Sequence, residues 1–200
     1  MKKWIKYVML GTFAVVVCYL YAHIDKVHNI YDEKTDNGSY ISAIIMGDSY
    51  VSQSFQCTEE SIDGISLKIL LGGESKTGEL NYRLFDDSGK ELVNGTYPIA
   101  EIKSERINKI KFGKTLESTA GNSYTVSLGV TGFEENESLG IYYDPVGEKN
   151  GELYVNGKET QGTLVLRWIT HRFDIETFIV TLGFIIYFIV FFKILYRLFS

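Results

Sequence analysis

Two long apolar runs frame a middle stretch in which apolar and polar residues alternate. From Tyr7 to Ile24 there is no Asp, Glu, Lys or Arg, and the run is dense in Val8, Met9, Leu10, Phe13, Val15, Val16, Val17 and Leu20. Trp4 and Ile5 extend it, because the long stem of Lys6 lets its charge reach the interface. A second run covers Thr177 to Phe192 and continues through Ile194, Leu195 and Tyr196 past Lys193. About 20 apolar residues span a bilayer core as a helix. The pattern therefore predicts a cytoplasmic tip and first transmembrane helix over 1–24 and a second over 174–197. Trp4 and Tyr7 at one end of the first run, and Tyr19 and Tyr21 at the other, are placed as interfacial aromatic belts.

Between the runs the period changes. Residues 25–39 are polar and predict a slack tether. From there to residue 170 the repeat is two. Ile65, Leu67, Ile69 and Leu71 alternate with Ser66, Lys68 and Leu70, while Leu80, Tyr82 and Leu84 alternate with Asn81, Arg83 and Phe85. Tyr124, Val126 and Leu128 continue the pattern, as do Leu139, Ile141 and Tyr143, then Leu164, Leu166 and Trp168. Alternation of this kind predicts strands with one buried face. Gly72-Gly73-Glu74, Asp86-Asp87-Ser88-Gly89, Asn94-Gly95, Gly121-Asn122 and Asn156-Gly157 read as turns, with Asn-Gly the strongest hairpin signal. About nine short strands over 40–170 predict an antiparallel sandwich, with room for one helical turn between Ile99 and Arg106. Trp168 ends the last strand so close to the second helix that the sandwich is expected to sit tightly on that helix and loosely on the first.

Charge orients the chain. Lys2, Lys3 and Lys6 precede the first run and Asp25 follows it; Asp174 and Glu176 precede the second and Lys193 and Arg197 follow it. Both helices then place the termini in the cytoplasm and the middle outside the plasma membrane. The middle holds 15 of the 20 basic residues and 23 of the 25 acidic ones, so it repels nucleic acid. A cleaved signal peptide would need a small residue three before the cut, which the site around Leu20-Tyr21-Ala22 lacks; a lipoprotein would need one before Cys18, where Val17 stands. Cys18 and Cys57, one in the first run and one in the middle, are not placed to form a disulfide; an exported domain without one fits a Gram-positive habit.

One stretch has a familiar look. Gln53-Ser54-Phe55-Gln56-Cys57, then the run from Ile62 to Ile69, then Gly78 to Lys90 with Asp86-Asp87-Ser88-Gly89, resemble a jelly-roll module; Asn122 to Leu128 resembles a later strand of the same pattern. Over residues 51–130 the chain is similar to the carbohydrate-binding-module-like outer domains of Gram-positive membrane proteins associated with surface-polysaccharide assembly. The resemblance implies a jelly-roll-like sandwich and a glycan as ligand. It carries over no individual ligand-binding residue.

The candidate chemistry is that of binding. His23, His28 and His171 have no Ser, Cys or Lys partner set by spacing, and Gly72-Gly73 lacks the Lys-Ser/Thr of a phosphate loop. No catalytic motif is present, and a non-enzyme is expected. Glu59, Glu60 and Asp63 follow a strand and are candidate oxygen donors for a structural calcium ion; no other cofactor is expected. Sugar recognition uses exposed aromatic rings, for which Tyr97, Tyr142, Tyr154 and Trp168 are the candidates. The expected role is an accessory or binding subunit for surface-glycan assembly or recognition, with the bilayer, a polytopic membrane protein and a glycan as partners. The alternative is an extracytoplasmic sensor or protein-binding module without sugar specificity.

Overall fold

The computed structural model describes residues 2–73, 77–134, 137–146 and 151–199. The chain divides into a β unit over 27–170 and a helical unit made of 1–26 and 171–200.

The β unit is a sandwich of two antiparallel sheets. The strands are β1 (His23–Asn29), β2 (Ile41–Ile45), β3 (Tyr50–Gln56), β4 (Ser61–Gly72), β5 (Glu79–Asp86), β6 (Glu91–Pro98), β7 (Arg106–Glu117), β8 (Ser123–Thr131) and β9 (Ser138–Asp144). Four shorter or later ones follow: β10 (Leu153–Val155), β11 (Lys158–Thr160), β12 (Thr163–Leu164) and β13 (Leu166–Phe173). In the seven-stranded sheet β2 pairs with β9, β9 with β4 and β4 with β7; in the six-stranded sheet β3 pairs with β8, β8 with β5 and β5 with β6. Apart from the β5–β6 hairpin, successive strands from β2 to β9 thus cross from sheet to sheet, in the order of an eight-stranded jelly roll. The other five strands extend it. β13 and β9 take successive lengths of one edge of β4, at 64–67 and 69–72.

Alternation supplies the core. Ile65, Leu67, Ile69, Leu139, Ile141 and Leu166 from one sheet meet Val51, Phe55, Leu80, Leu84, Val126 and Leu128 from the other. At about 25 cal/mol per Å² of apolar surface removed from water, this burial is the main force holding the sheets together.

Three expectations change. The stretch 25–39 is not a slack tether. Residues 23–29 form β1 at the edge of the seven-stranded sheet, and Ile30 N donates to Leu166 O at 3.1 Å. The polarity of this stretch reflects an edge strand, which needs only one apolar neighbour. Asn94-Gly95 is not a turn but lies inside β6, opposite Arg83 and Tyr82. A Cβ on Gly95 would fall 2.3 Å from the Tyr82 hydroxyl oxygen and 2.5 Å from its Cζ, so glycine there makes room for a ring. The strands also outnumber the nine expected. By contrast Asn156-Gly157 does close the β10–β11 hairpin, with φ of 52° and 74° at the two positions. Ile99–Glu101 is a single 3-10 turn. Of the Gly72-Gly73-Glu74 turn, Glu74 lies outside the described residues.

The helical unit contains α1 (Lys2–Ala22) and α2 (Ile175–Phe199), both long and apolar enough to cross a membrane, and they pack against each other. Asp174 caps α2: its Oδ1 accepts from Glu176 N at 3.0 Å and Thr177 N at 3.1 Å. Lys26 forms an ion pair with the same carboxylate, and Asp174 N donates to Ala22 O at 2.9 Å. The Lys26 ammonium, with these amides, lowers the Asp174 carboxyl to about 2. Next to it, His171 Nδ1 lies 2.8 Å from Asp25 Oδ1, and the His23 ring packs 5.2 Å from that of Phe173. Cys18 and Cys57 are buried free thiols.

Candidate functional site

Strand parity sorts the six-stranded sheet into two chemistries. Leu80, Tyr82 and Leu84 on β5 face the core together with Val126, Leu128 and Val130 on β8. The intervening residues face outward, and they are small and polar. The register lines them up in rows: Tyr154, Ser52, Ser127, Arg83 and Asn94 form one, and Gly129, Asn81 and Thr96 with Tyr50 form the next. Together they make a band of hydroxyls, amides and one guanidinium across five strands.

Two shallow grooves lie on this band. One, of about 410 Å³, runs from the Gly47–Ser49 turn past Tyr50 and Ser127. The other, of about 460 Å³, reaches Asn94, Thr96 and Thr131. Both are lined by Asn81 and Arg83, so they are continuous through these two side chains.

Local bonds hold the rims. The Ser49 hydroxyl accepts from Met46 N at 2.6 Å and donates to Met46 O at 2.7 Å, closing the turn before Tyr50. Tyr50 N donates to Asn156 Oδ1 at 3.1 Å, and Asn156 N to Tyr50 O at 2.8 Å. These bonds tie the start of β3 to the β10–β11 turn, and the Tyr50 ring stays 44% exposed. Asn81 Nδ2 donates to Thr131 Oγ1 at 3.3 Å. Arg83 Nε is 4.0 Å from Glu91 Oε2, an exposed pair worth little. Its guanidinium is therefore held loosely and can turn to a ligand.

The four aromatic candidates scatter. Tyr154 lies on the polar face, where its hydroxyl donates to Glu152 Oε2 at 2.9 Å. Tyr97 has core parity opposite Leu80 and packs against the core; burial first, then Glu101, pushes its phenol up. Tyr142 is on the outer face of the other sheet, beneath Lys68. Trp168 is 3% exposed, stacked 5.4 Å from Phe55 and 5.7 Å from His28. It is a core residue, because β13 pairs it with Ile65 on the inward side of β4. Ligand binding by Trp168 is thereby corrected.

The three carboxylates expected as calcium ligands do not gather into one described cluster. Among the described residues no three His, Cys, Asp or Glu side chains converge as a metal site needs. Glu59 faces His28 at 3.6 Å, Asp63 sits at a bulge in β4 and accepts from the Thr115 hydroxyl at 2.5 Å, and Glu60 is exposed.

Sequence reasoning missed Tyr50, Ser52, Asn81, Arg83 and Ser127. The signal was in the polar half of each alternation. Asn81 and Arg83 interleave Leu80, Tyr82 and Leu84.

No protein-family model matches the chain, and no curated protein matches it. The structures to which it is similar include capsid proteins of infectious bursal disease virus. The VP2 subviral particle shares 9% identity at a TM-score of 0.31, over 73% of this chain and 40% of that one. The Gt strain structure gives 9% and 0.33, over 76% and 37%. The T13 particle gives 10% and 0.30, over 78% and 45%. The chain spans less than half the length of each of these. Values this low add nothing to the fold, which rests on the strand pairing.

Proposed function

We propose that the chain is a non-catalytic, two-pass plasma-membrane protein that presents its jelly roll outside the cell, as an accessory or binding subunit for surface glycans. The glycan lies in the groove of the six-stranded sheet. The observation that carries this reading is the continuous band of Ser, Asn and Thr side chains with Arg83 at its centre and the exposed Tyr50 ring at its rim. Sugars offer hydroxyls at close spacing and apolar C–H faces. Small polar side chains answer the first, and an exposed ring answers the second. The resemblance read from the strand and turn positions of residues 51–130 implies the same ligand class.

The lysines before the first run and the Lys193 and Arg197 pair after the second support cytoplasmic termini. None of the α2 residues is buried, which leaves its apolar surface for lipid and for a polytopic partner.

The test is glycan-array binding by the full-length chain in neutral detergent. Arg83→Ala and Tyr50→Ala should each abolish the signal while the fold is kept. Silence of the unaltered chain on every glycan would sink the sugar reading and leave protein recognition in its place.

A further inference from the structure

Lys68 and Arg167 stand on the outer face of the seven-stranded sheet, the side of the sandwich that the groove does not use. Both are half-buried, and neither has an ion pair among the described residues. The Lys68 ammonium lies 4.6 Å from the Tyr142 ring centroid and 5.6 Å from that of Tyr40. Arg167 Nε and Nη2 donate to the Tyr31 hydroxyl at 3.0 and 2.5 Å. Arg167 is paired with Ser66, and Lys68 is two residues farther along β4. The two cations are thus diagonal neighbours, about 7–8 Å apart at the backbone.

A ring face attracts a cation but cancels none of its charge and uses none of its N–H groups. Lys68 keeps its full set of ammonium donors, and Arg167 keeps those that Tyr31 does not take. The rings fix where these donors sit. Tyr31 and Tyr40 meet edge to face at 6.0 Å and 82°, over the buried Val165. Burial, first of several causes, pushes the Tyr40 phenol up, so it remains a hydroxyl donor at neutral pH. The acids whose fields reach Tyr40 are Asp32 and Asp144. Each accepts from a backbone N–H, Asp32 from Lys34 N at 2.9 Å and Asp144 from Val146 N at 3.0 Å, bonds that orient the carboxylates and leave their charge for the two cations to outweigh.

We propose that this is an anion-binding site, in which Lys68 and Arg167, framed by Tyr31, Tyr40 and Tyr142, take a phosphate ester. Two cations approaching from different strands suit the several charged oxygens of a phosphate better than the single edge of a carboxylate. The flanking rings would cover the carbons that carry it. A soluble sugar phosphate and a phospholipid headgroup share this chemistry.

The test is calorimetric titration of the full-length chain in neutral detergent at low salt. The probes are glucose 6-phosphate, glucose, and the dihexanoyl forms of phosphatidylglycerol and phosphatidylcholine. Binding of glucose 6-phosphate or of the anionic phosphatidylglycerol, above any binding of the zwitterionic phosphatidylcholine, weakened about tenfold in Lys68→Gln and restored in Lys68→Arg, is the expected result. Whichever of the two binds names the source of the phosphate. Glucose should show no response that Lys68→Gln alters. Among the described residues the Lys68 ammonium donates no hydrogen bond and only faces the Tyr40 and Tyr142 rings, so at most a small shift of the melting midpoint is expected for either variant. The proposal is overturned if neither glucose 6-phosphate nor the phosphatidylglycerol binds, or if binding is as strong in Lys68→Gln and Arg167→Gln as in the unaltered chain.

Discussion

The two outer faces of the sandwich obey the same alternation and end up chemically opposite. On the six-stranded sheet the outward residues are mostly polar, none of the other described residues closes over them, and Asn81 and Arg83 line open grooves. On the seven-stranded sheet the chain before β2 returns across the face. It buries Tyr31 and Tyr40 on Val165 and Tyr142. There the outward cations Lys68 and Arg167 are held by rings. A strand's polar face is therefore an opening only if no other part of the chain covers it.

The comparison can be broken by stripping the cover. Tyr40→Ala should destabilise the β unit by about 3 kcal/mol, because it leaves a cavity over the sheet; chemical denaturation followed by the β signal measures it. On the core side of the other sheet, Gly95→Ala should cost about 2 kcal/mol, since the new Cβ overlaps the Tyr82 ring. Tyr31→Phe removes the acceptor of two guanidinium bonds and should cost about 1.5 kcal/mol. Arg83→Ala on the open face should move stability by no more than about 0.5 kcal/mol while abolishing glycan binding. A large loss of stability there would mean the open face is structural.

A pH titration sharpens the contrast further. The folded protein holds the Tyr40 proton more tightly than the ordinary value of 10.0. The unfolded chain therefore loses that proton first as pH rises, and the stability gained from the neutral phenol, complete below pH 10, is lost above it. Tyr40→Phe should flatten this alkaline loss, read as the change in denaturation midpoint between neutral and strongly alkaline buffer. Removing Asn81 should leave it untouched.

Much of the fold was legible. The alternation of Ile65, Leu67 and Ile69, and that of Leu80, Tyr82 and Leu84, is the core as observed. The site was only half legible. Tyr154 sits on the polar face, but Trp168 has core parity, and a rule that seeks large rings does not ask which way the strand turns them. Asn94-Gly95 misled for a related reason. The same dipeptide that permits a turn also clears space for Tyr82 across the ladder, and only the partner strand distinguishes the two uses.

The sequence by itself determined two helices long enough to cross a bilayer, a β region between them, and the inward half of each strand. These follow from local periods of apolar residues, which act within a few positions. Tertiary structure alone decided that residues 23–29 join the sheet, that Glu59, Glu60 and Asp63 form no three-acid cluster, and that one outer face is partly covered by rings while the other is open. Each of those outcomes depends on contacts between residues far apart in the chain. A period of two specifies which side of a strand a residue takes, and leaves the neighbour on that side to the fold.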